Sequence, residues 1–313
     1  MKEIKTVTLV GMGAMGAYFA PGLSALLGEG FRVLAQGARK ERLKNGVTIN
    51  GVHVSFPIVE PGQTGDPADL VIVAVKDYAL EEALEQARDQ VGPDTILLPV
   101  LNGLTCAART GAVFGMDKVL YASMWVASSM ADGVAVYNAE TGLIRFGEAR
   151  NGDTLTPRVR AVADLFQRAG IRYKIEPDML RCIWLKFMGN VSENLPCALL
   201  GVPYGAYQAG SHADAIRHAA MYEVAAVAKA EAGVDLGPED MALRDKVVAR
   251  QDPASRPSTL QDLDRGKATE IDLFAGAMVE LGRKHGIPTP VCELFLHGIR
   301  VLEAKNAGEI PGL

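Results

Sequence analysis

One turn near the start of the chain, Gly11-Met12-Gly13-Ala14-Met15-Gly16, constrains the fold more than any other stretch. It follows the β-rich segment Ile4 to Val10 and precedes Ala17 to Leu27, whose apolar spacing is that of a helix. Strand, glycine turn and helix in that order open a dinucleotide-binding fold, and each glycine has its own physical task. Gly11 makes the tight turn, Gly13 lets a pyrophosphate approach the backbone, and Gly16 brings helix against strand. The helix would aim its unpaired N–H groups and positive dipole end at the phosphate, so no basic side chain is needed there. Gly11, Met12, Gly13, Ala14, Met15 and Gly16 are therefore the first cofactor-binding candidates.

The rest of the first half alternates strands and helices. Arg32 to Ala35 reads as a strand, Val47 to Phe56 as a hairpin turned at Asn50-Gly51, and Leu70 to Val75 as a strand buried on both faces of a parallel sheet. A helix is expected over Tyr78 to Val91 and a buried strand over Thr95 to Pro99. Val119 to Met130, Val134 to Tyr137 and Leu143 to Gly147 read as a meander, with Asp132-Gly133 turning the chain. A helix over Pro157 to Ala169 and a strand over Ile171 to Ile175 follow. Beyond Glu176-Pro177 the β signals fade. Helical spacing then covers Asp178 to Asn194, Ala213 to Ala232, Pro238 to Arg250, Leu260 to Arg265, Glu270 to His285 and Val291 to Lys305. The expected fold is α/β, with an N-terminal Rossmann-type dinucleotide-binding domain over 1–176 and an all-α C-terminal domain over 177–313. Two domains also suit 313 residues, which exceed the usual size of one core.

Composition narrows the partners. A formal charge of -5 argues against nucleic acid and against an anionic membrane, whose partners normally show a basic face. No apolar run is long enough to span a bilayer, and Met1 to Val10 reads as a strand rather than a signal segment. Cys106, Cys182, Cys197 and Cys292 are widely spaced, as suits reduced thiols in a cytoplasmic protein. The five histidines form no metal-ligand pattern, so no metal is expected. The amphipathic helical half could bury its apolar faces internally or against a second copy, which leaves a homodimer open.

NAD-preferring proteins commonly carry Asp or Glu about twenty residues past the glycines, to accept hydrogen bonds from the ribose 2′-OH. Here that stretch is Leu34-Ala35-Gln36-Gly37-Ala38-Arg39-Lys40-Glu41-Arg42. Its cations suit a 2′-phosphate, so NADPH is the expected cofactor, with Arg39 the first choice and Lys40 or Arg42 in reserve. Lys76 and Asn102 each follow a strand, where open α/β sheets place ligands. Lys76 could face the ribose or phosphates and Asn102 the nicotinamide, although a solvated strand end and an ordinary Asn-Gly turn account for them equally well.

In the second half, Lys186, Asn190 and Asn194 recur every four residues and so share a helical face. A lysine within Ile183-Trp184-Leu185-Lys186-Phe187-Met188 loses hydration of its charged form, which draws its pKa towards neutrality and makes it a proton donor. Spacing alone favours the plainer arrangement, in which Lys186 runs past Trp184 to water and the asparagines approach a helix end at Leu195-Pro196. A second polar cluster spans Pro257 to Asp272. On one straight helix Ser258 and Glu270 would lie about 18 Å apart. Gly266 can end the first helix, and Thr269 with Asp272 offers a capping arrangement for the next, so that the two residues can approach.

With these residues in hand, the chain resembles the ketopantoate reductases (2-dehydropantoate 2-reductases) over nearly its whole length. The likeness rests on the G-x-G-A-x-G turn, Val75-Lys76, Asn102-Gly103, Lys186 with Asn190 and Asn194, and the Ser258 to Asp272 segment with Leu260-Gln261-Asp262 and Thr269-Glu270-Ile271-Asp272. It implies that Lys186 is the proton donor and that Glu270 lies beside it, touching cofactor or substrate. It also implies that Asn190, Asn194 and Ser258 hold the substrate, that Asn102 contacts cofactor and substrate, and that Lys76 contacts the cofactor. The implied reaction is the reduction of ketopantoate to pantoate by NADPH. The chain departs from the family pattern at Leu101, at Leu195-Pro196-Cys197 and at Tyr204, where some members carry a substrate-contacting asparagine. Those changes make a reductase of another branched or aromatic 2-oxo acid the nearest alternative. A nonenzymatic NADP(H)-sensing protein is the alternative from a different class.

Overall fold

Strands β1 (Val7–Val10), β2 (Phe31–Leu34), β5 (Ile58–Val59), β6 (Leu70–Val73) and β7 (Ile96–Pro99) form one parallel sheet in the order β5-β2-β1-β6-β7. The structure is a computed structural model that describes residues 3–63, 65–131 and 133–312. Met1 and Lys2 of the expected first strand, and Asp132 of the expected turn, lie outside the described residues. Successive side chains of each strand enter opposite cores. Leu9, Leu70 and Ile72 pack with Phe19, Phe31 and Phe166 on one face, while Val10, Val71 and Val73 pack with Leu80, Leu84 and Leu97 on the other. That two-sided burial is why Leu70–Val73 reads as unbroken apolar sequence, and each such side chain contributes about 1.5–3 kcal/mol relative to exposure.

Helices α1 (Ala20–Leu27), α2 (Gly37–Leu43), α3 (Leu80–Gln86), α4 (Cys106–Phe114) and α5 (Pro157–Arg168) accompany the sheet. The expected hairpin is present as β3 (Val47–Ile49) and β4 (Val52–Val54). Asn50 at φ 47° and Gly51 at φ 80° make a turn with two left-handed residues, and Asn50 exchanges hydrogen bonds with the backbone of Tyr137.

The meander is corrected. β8 (Tyr121–Trp125) and β9 (Ser128–Ala131) belong to different sheets: β8 pairs with β11 (Leu143–Gly147), whose other neighbour is β12 (Tyr173–Ile175). β9 pairs with β10 (Val134–Tyr137), which runs parallel to β3. The chain changes sheets at Val126 and Ala127, between a strand with a buried centre and one alternating between half-buried and exposed.

The chain divides into two compact units, Met1–Cys182 and Ile183–Leu313, so the division falls inside α6 (Met179–Gly189), beyond the expected Glu176-Pro177. Among its described residues the second unit contains helices joined by turns and no strand. It contains α7 (Leu195–Leu200), α8 (His212–Ala232), α9 (Pro238–Val248), α10 (Ser258–Asp264), α11 (Ala277–His285) and α12 (Pro290–Asn306). One expectation here is corrected. The helix does not end at Leu195-Pro196: α6 passes through a π-turn at Asn190–Asn194 into α7, whose first turn takes up Pro196. The expected helix from Glu270 to His285 is present from Ile271, passing through a second π-turn at Asp272–Gly276 into α11.

Among the described residues, no helix is long and apolar enough to cross a membrane, and no group of three or more His, Cys, Asp and Glu could hold a metal ion. All four cysteines are buried free thiols.

Candidate active site

In the first unit the sequence candidates gather at the carboxyl edge of the parallel sheet. The strand order reverses between β1 and β6, the crevice where doubly wound sheets bind ligands. Each glycine of the turn meets a different demand. Gly11 has φ +100°, and a Cβ there would stand 2.6 Å from the Ala74 carbonyl oxygen, because β1 and β6 leave the sheet side by side. A Cβ on Gly16 would stand 2.2 Å from the Gly11 carbonyl oxygen, so only glycine lets the helix fold back on the turn. A Cβ on Gly13 would meet nothing within 4 Å, so the protein leaves that side of the turn open. The helix begins as a 3-10 turn, Gly16–Tyr18, rather than as α-helix from Ala17. Ala17 N donates to Gly13 O at 2.9 Å, which closes the first turn of the helix on the glycine turn.

Gln36 caps α2 from the end of β2, which puts Arg39, Lys40 and Arg42 in one short helix at the same edge. Lys40 is committed: its Nζ pairs with Glu60 Oε1 at 2.5 Å, on the segment after β5. Arg39 is exposed and pairs with no carboxylate among the described residues. Lys76 is exposed after β6, and Asn102 is half-buried after β7, next to Gly103 at φ 89°.

In the second unit Lys186 is half-buried in the last turns of α6, flanked by buried Phe187 and one residue from buried Trp184. On a straight α-helix each four-residue step overshoots a full turn by about 40°, so Asn194 would drift by about 80° from Lys186. The wider π-turn takes back part of that drift. Asn194 Nδ2 accordingly donates to Asn190 Oδ1 at 3.4 Å.

Several groups hold this turn. Arg244 of α9 pairs with Glu193, and the two side chains are only 8% and 5% exposed. The Arg244 guanidinium lies so close over Gly189 that a Cβ there would stand 2.4 Å from Nη2. Tyr207 Oη donates to Glu193 O at 2.6 Å, Ser192 Oγ to Met188 O at 2.7 Å, and Tyr204 Oη to Asn194 Oδ1 at 2.9 Å.

Ser258 and Glu270 stand on elements that the same unit brings to this turn. α10, which starts at exposed Ser258, packs on the first π-turn, and the second π-turn, two residues after half-buried Glu270, also packs on it. Phe187 and Phe274 join the last pair, with ring centroids 6.1 Å apart. Gly266, at φ 62°, ends the first of these helices as expected, and Lys267 N returns to Asp262 O at 2.9 Å. The Thr269–Asp272 cap forms only in part: Thr269 Oγ1 accepts from Ile271 N at 3.2 Å. Thr269 donates through both N and Oγ1 to Glu303 Oε1 of α12, at 2.7 and 2.8 Å, and the Asp272 carboxylate pairs with Arg300.

Comparison with known proteins decides the family. Residues 7–151 match the sequence model of "Ketopantoate reductase PanE/ApbA", and residues 178–303 match that of "Ketopantoate reductase PanE/ApbA C terminal". The 2-dehydropantoate 2-reductase of Vibrio cholerae serotype O1 is 31% identical over 75% of this chain and 78% of its own. The chain belongs to the ketopantoate reductase family. On that membership it is an oxidoreductase acting on a CH–OH/C=O pair, which sets aside a cofactor sensor without chemistry.

Two solved structures show the same fold. The PanE/ApbA family ketopantoate reductase from Ralstonia eutropha JMP134 superposes with a TM-score of 0.81 and 26% identity, covering 96% of this chain and 99% of that one. D-mandelate dehydrogenase, solved with NADH and anilino(oxo)acetate, superposes with a TM-score of 0.85 and 24% identity over 96% and 99% of the two chains. Within this family frame, sequence reasoning missed Glu193, Arg244 and Tyr207. The one available signal was a carboxylate, Glu193, between the mostly apolar stretches Trp184 to Val191 and Leu195 to Leu200, where a buried charge needs a partner.

Proposed function

We propose that this chain uses NADPH to reduce a 2-oxo acid to the 2-hydroxy acid, with ketopantoate as the leading substrate and Lys186 as proton donor. The observation that carries this reading is the packing in the second unit. The first π-turn, α10 and the second π-turn touch, and they or their immediate neighbours bear Lys186, Asn190, Ser258 and Glu270. A half-buried ammonium among amides, a hydroxyl and a carboxylate suits a carbonyl that must receive a proton on oxygen.

The first unit fits the cofactor. The open side of Gly13 is the space a pyrophosphate needs, and with Lys40 held by Glu60, Arg39 remains the first choice for a 2′-phosphate and Arg42 the reserve. Lys76 and Asn102 serve ribose and nicotinamide from the same sheet edge. When bound, NADPH supplies the hydride. Lys186 delivers the proton to the carbonyl oxygen, Glu270 steadies its ammonium group, and Asn190 and Ser258 hold the substrate's carboxylate and hydroxyl groups.

A second reading, another branched or aromatic 2-oxo acid, is favoured by the Tyr204 phenol bound to Asn194. The fold neighbour that binds anilino(oxo)acetate is in keeping with it. NADPH oxidation over a panel of ketopantoate, branched aliphatic and aromatic 2-oxo acids separates the two. The highest kcat/KM is expected for ketopantoate. A strong preference for another acid moves the assignment to the second reading, and oxidation with none of them removes both.

A further inference from the structure

Along the helix beyond Lys186, one phenol and two amides stand in series. Tyr204 Oη donates to Asn194 Oδ1 at 2.9 Å, and Asn194 Nδ2 donates to Asn190 Oδ1 at 3.4 Å. An amide has one oxygen and one nitrogen, so a donor held against its oxygen decides where its nitrogen points. The phenol thereby fixes Asn194, and Asn194 fixes Asn190. The group left over at the end of the series is Asn190 Nδ2, a donor, four residues and so about one helical turn beyond Lys186.

In the structure the series runs from phenol to amide to amide, with Tyr204 the donor at its head. Asn194 is only 9% exposed, and both ends of its amide are engaged by protein partners. Burial pushes the Tyr204 phenol well above its ordinary value, and the hydroxyl keeps its proton. The phenol is itself held in place. It rises from a 3-10 turn, Tyr204–Ala206, whose Tyr204 N donates to Ser255 O at 3.0 Å and whose Gly205 N donates to Pro253 O at 2.8 Å. A Cβ on Gly205 would stand 2.9 Å from that Pro253 oxygen, so the turn and the loop ahead of Ser258 are locked together.

We propose that Tyr204 is a positioning residue for the substrate carboxylate: by orienting Asn194, and through it Asn190, it makes the helix face beyond Lys186 present N–H donors. This rests on the reading above, in which Lys186 and Asn190 face the substrate. A carboxylate only accepts hydrogen bonds, so Asn190 Nδ2 attracts it, whereas a reversed amide would set an oxygen against it. The effect belongs to binding rather than to proton transfer, and it acts on KM.

The test is a double-mutant cycle in steady-state kinetics at saturating NADPH, with whichever 2-oxo acid of the panel the unmodified protein reduces best. Tyr204→Phe is expected to raise KM about five- to tenfold, the size of one hydrogen bond, while kcat changes less than about twofold. Asn194→Ala cuts the series from its other end, with a similar rise expected, and supplies the test where Tyr204→Phe does not fold. The double variant is expected to be no worse than Asn194→Ala alone, since the phenol acts only through that amide. An unchanged KM in Tyr204→Phe, or effects that multiply in the double variant, overturns the positioning role while leaving the reductase reading intact. An unmodified protein that oxidises NADPH with no 2-oxo acid overturns both.

Discussion

Arg244 grips Glu193 through two parallel hydrogen bonds, Nε to Oε1 at 2.7 Å and Nη2 to Oε2 at 2.5 Å, almost wholly out of water. Glu193 belongs to the first π-turn and Arg244 to α9, so a buried ion pair clamps a widened turn that rarely forms without tertiary support. The same turn carries Asn190 and Asn194 and follows Lys186 by one helical turn.

Removing one member of a buried pair strands the other charge, at a cost of about 3–5 kcal/mol. Arg244→Leu is expected to lower the unfolding free energy by that amount in a urea titration followed by circular dichroism. A loss under about 1 kcal/mol would show that the turn holds without its clamp.

The glycine turn separates folding from binding within one motif. Gly16→Ala forces a methyl against the Gly11 carbonyl and is expected to destabilise the protein by about 1–3 kcal/mol. Gly13→Ala meets no protein atom, so its melting temperature should stay close to that of the parent. Its NADPH affinity should fall at least tenfold, because the methyl enters the space assigned to the pyrophosphate. Thermal melts and a fluorescence titration with NADPH check both halves. Equal NADPH affinity in Gly13→Ala would move the cofactor away from this turn.

Cofactor preference offers an independent check. Arg39→Ala is expected to weaken NADPH binding about tenfold or more, the size of a charge-assisted hydrogen bond, and to leave NADH binding nearly unchanged. Lys40→Ala should do less, since its ammonium already serves Glu60. Titrations with the two cofactors distinguish these outcomes, and a larger loss from Lys40→Ala would reverse the assignment.

Much of the first unit was legible because its signals are local. Leu70–Val73 is apolar at every residue since both faces of the sheet are covered, and Asn50-Gly51 supplies the left-handed pair that a tight hairpin needs. The partner of β8 was not legible. Alternation reports which face of a strand is buried, not which strand lies beside it, so a change of sheet at Val126 and Ala127 leaves no mark in the pattern.

The second unit shows the same limit at the candidate site. The recurrence of Lys186, Asn190 and Asn194 was legible as a four-residue spacing, but the π-turn that keeps Asn194 against Asn190 depends on groups distant in sequence, among them Arg244. The spacing of Thr269 and Asp272 pointed to a reciprocal cap. α12 instead brings Glu303 to Thr269 and Arg300 to Asp272, so Thr269 keeps a local hydrogen bond from Ile271 N while the Asp272 carboxylate is drawn to a charged partner.

The proton donor is the claim on which the account turns, and Lys186→Ala tests it most directly. Turnover of the best 2-oxo acid should be measured at saturating NADPH, alongside the melting temperature and NADPH affinity of the variant. The expected result is a fall in kcat of about a hundred- to ten-thousandfold, with cofactor binding retained. A Lys186→Ala protein that reduces the acid as fast as its parent would contradict the mechanism.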